Sequence, residues 1–137
     1  MFRKNISFFI LALGLNLNAE ISINNLIITS EYVEISKDRN QVIFQDKVKI
    51  DSGTLVITAD EALYDGRKKI ITVKGNPSLI DSLLKDLSFS GEASKIIFFA
   101  NNKVQLVGKA SMIYDDINIS SNAITFNPQN GSISSND

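Results

Sequence analysis

The feature that most constrains this chain is an alternation of apolar and polar residues with period two, which returns run after run along nearly its whole length. Val42 and Phe44 alternate with polar or outward positions, and Val48 and Ile50 alternate with Lys47, Lys49 and Asp51. Leu55, Ile57 and Ala59 continue the pattern. So do Val104 and Leu106 around Gln105, Ile117 and Ile119 around Asn118, and Ile124 and Phe126 around Thr125. Successive side chains of a strand point to opposite faces, so each run offers one apolar face to a core and one polar face to solvent. β-branched residues dominate the runs, as strands prefer.

The breaks between runs are short: "SKDRN", "DSG", "YDGRKK", "GNP", "FANNK", "YDD" and "NPQNG". Asp, Asn, Gly and Pro supply the dihedrals that tight turns require. A turn about every 6 to 10 residues leaves no room for the crossovers that parallel strands need, so the expected fold is all-β and antiparallel. Ser78–Leu87, "SLIDSLLKDL", reads as a loop with at most one helical turn, and "GNP" before it reads as a closing turn. Small-then-polar pairs recur at Ser30-Glu31, Ala59-Asp60, Gly91-Glu92 and Ser121-Asn122, separated by 29, 32 and 30 residues. A period near thirty points to a rolled stack whose successive units bury their apolar faces against one another.

The first 19 residues differ from the rest. "MFRKNISFFILALGLNLNA" carries Arg3 and Lys4, an apolar run from about Phe8 to Leu15, then polar residues and Ala19. That is the plan of a secretory signal peptide, too short in its apolar part for the roughly 20 residues of a spanning helix. Residues 1–19 are therefore expected to be a signal peptide and 20–137 a single mature domain. An uncleaved N-terminal anchor is the other reading of the same run. N-terminal sequencing of the fractionated protein separates them: Glu20 as first residue in the soluble periplasmic fraction is expected, and Met1 in the membrane pellet would favour the anchor. Charges nearly balance in the 137 residues, with 14 basic, 15 acidic and no histidine. Nucleic-acid binding needs a basic face and is not expected.

Several stretches, in order, carry a resemblance: "GTLVITADEA" (Gly53–Ala62), "GNP" (Gly75–Pro77), "GEASKIIF" (Gly91–Phe98) and "NKVQLVGKASM" (Asn102–Met112). Together they resemble the OstA-like family of periplasmic lipopolysaccharide transport proteins of Gram-negative bacteria, over about residues 26 to 134. The resemblance implies an open antiparallel β-jelly roll with an apolar groove along its axis. The inward positions of the alternating runs are Phe44, Val48, Ile50, Leu55, Ile57, Ile71, Val73, Phe98, Val104, Leu106, Ile119, Ile124 and Phe126. As residues they are core; the resemblance implies that they also line the groove and take the lipid A acyl chains of lipopolysaccharide. It further implies a bridge between the membranes, with Lpt-type β-roll proteins of the inner and outer membranes as partners. Head-to-tail self-association is expected, the first strand, Leu26, Ile27, Ile28 and Thr29, pairing with a neighbour's last, Gly131, Ser132, Ile133 and Ser134. A membrane-anchored relative of the same export path is the alternative.

Other chemistry has little to build on. Without His or Cys there is no His-based triad, no Cys–His pair, no disulfide and no thiolate metal site. A carboxylate pair for glycoside cleavage is conceivable on a jelly roll, but the chain has no Trp and only three Tyr with which to line a sugar cleft. Asp60-Glu61 and Asp115-Asp116 are neighbours on strands and point to opposite faces, which argues against a metal. "GRKK" in a turn and outward Lys47 and Lys49 read as solvated charge. The expectation is a lipid carrier, not an enzyme, with neither cofactor nor metal.

Overall fold

The computed structural model describes residues 18–86 and 88–136. The signal-peptide reading of residues 1–19 falls almost wholly outside them. Ten strands follow in chain order: β1 (Ala19–Ile23), β2 (Leu26–Ser30), β3 (Tyr32–Ser36), β4 (Gln41–Asp51), β5 (Leu55–Asp65), β6 (Ile70–Ser82), β7 (Phe89–Phe98), β8 (Val104–Tyr114), β9 (Ile117–Asn127) and β10 (Ser132–Asn136). All pairs are antiparallel, in the order β1-β2-β4-β5-β6-β7-β8-β9-β10, with β3 also on β4.

One sheet becomes two layers because its long strands are bent at matching places. The register slips between Gln45 and Val48, Thr58 and Glu61, Lys74 and Ser78, Glu92 and Lys95, and Val107 and Ala110. A bulge bends its strand and adds twist. Five in line crease the sheet into two leaves. Leaf A contains β3, β10 and the halves of β4 to β9 on their side of the crease; leaf B contains β1, β2 and the other halves. The backbone at the crease is left-handed at Asp46 (φ 68°), Lys47 (φ 53°) and Lys109 (φ 47°). Gly108, at φ 90°, stands where an added Cβ would lie 3.1 Å from Ser94 Cβ, so a glycine answers both the dihedral and the close approach. Outside the crease, Glu31 N–H donates to the Asp46 carbonyl at 2.9 Å, and Lys47 Nζ meets Glu31 Oε2 at 3.3 Å in solvent.

The thirty-residue recurrence is explained by this crease. Ser30-Glu31 marks the passage from β2 to β3, and the other three pairs lie at or beside the bends of β5, β7 and β9. The recurring unit is two antiparallel strands, each crossing the crease once.

Three expectations about elements are corrected. The long strands run 10 to 13 residues, more than the spacing of breaks suggested. "GNP" is not a closing turn but the bend inside β6. Pro77 sits in the register slip between Lys74 and Ser78, where no ladder N–H is needed. Ser78–Ser82 is neither loop nor helix but the second half of β6: Ile80 pairs with Ile57 and Gly91 and is buried. The other breaks are turns held by local side-chain acceptors. Asp51 Oδ1 accepts from Gly53 N–H at 2.8 Å, Asp65 Oδ1 from Arg67 N–H at 3.0 Å, and Asn127 Oδ1 from Gln129 N–H at 2.9 Å.

Candidate functional site

The inward side chains form rows that cross the strands and so run along the axis of the roll. In leaf B one row is Ile28, Ile50, Ile57, Ile80, Gly91, Met112, Ile119, each paired with the next across the ladder. In leaf A the facing row is Val33, Phe44, Ala62, Val73, Ile96, Leu106, Ile124. Nearer the turns of leaf A runs a third row, ending in Ile71, Phe98, Val104, Phe126 and Ile133. Packed leaves stand about 10 Å apart, so the rows meet and fill the space between. Fully burying one such side chain is worth roughly 1.5–3 kcal/mol.

The residues singled out in the sequence are brought together here. Phe44, Val48, Ile50, Leu55, Ile57, Val73, Phe98, Val104, Leu106, Ile124 and Phe126 all face the interior, and none is more than 7% exposed. Ile119, in the last strand of leaf B, is half-buried and packs against them. Ile80, Phe89, Ile96 and Met112 also belong to the interior and were not named beforehand, and Ile28, expected at an edge, is part of it. Phe89 and Phe126 meet at a tilt, 4.5 Å between centroids, with Tyr114 edge-on to Phe126 at 5.9 Å.

The interior carries no charge among the described residues; its only buried polar side chains are Ser30 and Ser78. Ser30 Oγ donates to the Tyr32 carbonyl at 2.9 Å, whereas Ser78 Oγ has no partner. No three ionisable side chains gather as metal ligands among the described residues. On the outer face of β3, Tyr32 Oη donates to Glu34 Oε1 at 3.1 Å, and that carboxylate holds the phenol above its usual range. This pair is exposed and remote from the interior.

Opposite the crease the leaves do not join. A cavity of about 390 Å³ opens along this seam, floored by Leu26, Leu55, Phe89 and Phe98 and rimmed by Asn102 and Gln129. A second, of about 380 Å³, opens at the β1 end between Ile21, Ile23, Ile35, Val42 and Tyr64. Both have apolar floors continuous with the rows, so this arrangement offers shelter to an apolar chain.

The edge strands differ from expectation. Leu26, Ile27, Ile28 and Thr29 are not a free edge: β2 is paired with β1 on one side and β4 on the other, and Leu26 and Ile28 are core. Gly131 is a turn residue at φ 73°, and the last strand is Ser132–Asn136, which includes Ser132, Ile133 and Ser134. Among the described residues the strands paired on one side only are β1 and the first half of β9 in leaf B, and β3 and β10 in leaf A.

A family model described as LptA/(LptD N-terminal domain) LPS transport protein matches residues 27–132. Among solved structures, LptH of Pseudomonas aeruginosa superposes with a TM-score of 0.72 at 15% identity, over 80% of each chain. Its description is the LptA-homologous periplasmic component of the conserved lipopolysaccharide transport device. No curated protein matches this chain.

Proposed function

This chain belongs to the LptA/LptD N-terminal family of lipopolysaccharide transport proteins, and from that premise we propose that it is a periplasmic carrier holding lipid A acyl chains between its leaves. The observation that carries the proposal is the set of uncharged rows running along the axis, with an open seam on one side. An acyl chain lying along the rows exchanges water for methyl groups at roughly 0.8 kcal/mol per methylene, with no charged contact required. The sugar headgroup stays outside at the amide rim.

The same reading makes the carrier one segment of a bridge between inner- and outer-membrane partners. Each leaf is eight strands wide, but the two are staggered. Leaf B extends one strand beyond leaf A at the N-terminal end, and leaf A one strand beyond leaf B at the C-terminal end. A second copy stacked head-to-tail sets β10 beside its β3 and Ile117–Ser121 of β9 beside its β1. Strand directions then stay antiparallel across both joints, and β3, β10 and the β9 segment are each five residues long. Such a contact is heterologous and grows instead of closing. Light scattering should rise with concentration, and Glu34→Pro in β3 should reduce it by removing a backbone donor from one joint. A strict monomer at every concentration, with no binding to a neighbouring roll, would overturn the bridge.

Photo-crosslinking tests the carrier itself. A probe at Leu55, Ile57, Val104 or Phe126 should capture lipopolysaccharide, while one at Lys49, Val56 or Gln105 should not. One residue along a strand moves the probe through the sheet. Equal capture from both faces counts against lipid between the leaves.

A further inference from the structure

The inward row of leaf B is Ile or Met throughout its length, with one exception: Gly91, between Ile80 and Met112. The vacancy is filled from the opposite leaf. A Cβ built on Gly91 would stand 2.9 Å from Leu106 Cδ2, 3.1 Å from the Ser111 carbonyl oxygen and 3.3 Å from Ile80 Cγ2. The methyl of Leu106 thus rests where a side chain of residue 91 would be. At this station leaf B supplies no side chain, and a methyl of Leu106 from leaf A lies against its backbone. Leu106 is fully buried between Ile96 and Ile124 on its own leaf. Gly91 is not in a left-handed conformation, so backbone dihedral does not call for glycine. Close approach does.

We infer that Leu106 seated on Gly91 is the constriction of the apolar interior, the residue pair that sets how much acyl chain the roll admits. This rests on the lipid-carrier reading above. A chain passing along the axis must displace a single leucine at this station, against bare backbone on the far side. Enlarging residue 91 narrows the passage with an atom fixed to the backbone, which has nowhere to turn. Shortening residue 106 opens it, because neither leaf then fills the gap.

The pair is tested by titrating the mature full-length protein with purified lipopolysaccharide and recording thermal melts alongside. Leu106→Ala is expected to melt lower, by roughly 10 °C for a large-to-small core change. It is nonetheless expected to bind more tightly, about fourfold for each further methylene sheltered. Gly91→Ala is expected to bind more weakly. In the double variant the added methyl enters the space the leucine leaves, and both affinity and melting temperature should move back from the worse single variant. Leu106→Val gives a smaller step of the same sign should the alanine variant not fold. A merely structural pair would lose affinity in step with melting temperature in both single variants; changes of equal sign, or none, overturn the constriction while leaving the carrier intact. Failure of the wild-type protein to bind lipopolysaccharide overturns the carrier reading and this inference with it.

Discussion

Ile57→Asp unfolds the protein. Ile57 is 1% exposed and sits in the middle of the leaf B row, between Ile50 and Ile80. The interior offers an aspartate no cation and no donor side chain within that row. A carboxylate placed there must lose its hydration without compensation or take up a proton. Changes of this kind belong to the rare class costing more than about 4 kcal/mol, a large part of the 5–15 kcal/mol that holds a typical domain together. The melting temperature should fall by roughly 15 °C or more, and lipid capture should vanish with the fold. Thr58→Asp, the next residue, is the control. Thr58 is exposed on the outer face and is paired with Lys49. Its substitution should change stability by no more than about 0.5 kcal/mol. Folded Ile57→Asp protein with an unchanged melting temperature and no lipid capture would show that this position is a wet groove instead of dry core.

The second large effect is expected at the C-terminal end. Phe126→Ala should cost about 3–5 kcal/mol, the range for removing a buried phenyl ring. Phe126 is fully buried, meets Phe89 at a tilt and Tyr114 edge-on, and is paired with Val104 on one side and Ile133 on the other. Among the described residues β10 pairs only with β9, and its Ile133 packs on the core beside Phe126. Denaturant unfolding should report the overall loss. Hydrogen exchange should show the amides of Ser132–Asn136 losing protection first, while those of β5 and β6 follow only the global change. Uniform loss of protection would mean that β10 is anchored by its ladder alone.

The positions of these two residues explain what could be read in the sequence. Ile57 and Phe126 lie in unbroken alternating runs, and their direction follows from parity alone. Turns were legible for a local reason: an Asp or Asn side chain bonds an amide two residues on, as Asp51 does at Gly53. The crease was not legible as such. At a bend the chain spends extra residues, and parity changes. In β5 the inward positions are Leu55, Ile57 and Ala59 before the bend, then Ala62 and Tyr64 after it. Continuous alternation would send Ala62 outward. In β6 the change falls between Val73 and Ser78, and the Gly-Asn-Pro there looked like an end. What followed, with its Ser, Asp and Lys, lost its strand signal, and Ile80 went unnoticed. In β7 the run Ile96-Ile97-Phe98 is apolar on both faces, so Ile96 did not stand out although it shares the parity of Phe98. The free edges depend on which strands find partners far along the chain, and no local pattern carries that. β1 displaced Leu26–Thr29 from the edge through a hairpin at Asn24-Asn25, both left-handed residues.

The aligned bends also determine how such a molecule can change in length. Every long strand contributes to both leaves and touches chiefly its sequence neighbours. The backbone outline is therefore repeated at each station, as in an extruded profile cut to size, and only the side chains differ from one to the next. Neighbouring strands stand about 4.8 Å apart, so two more strands would lengthen the conduit by roughly 10 Å and leave its bore unaltered. Eight strands per leaf give a run of roughly 35 Å on the same spacing. Insertion or deletion of one whole two-strand unit, cut from turn to turn, should thus be tolerated where loss of a single strand is not, since a single strand would reverse the polarity of everything beyond it.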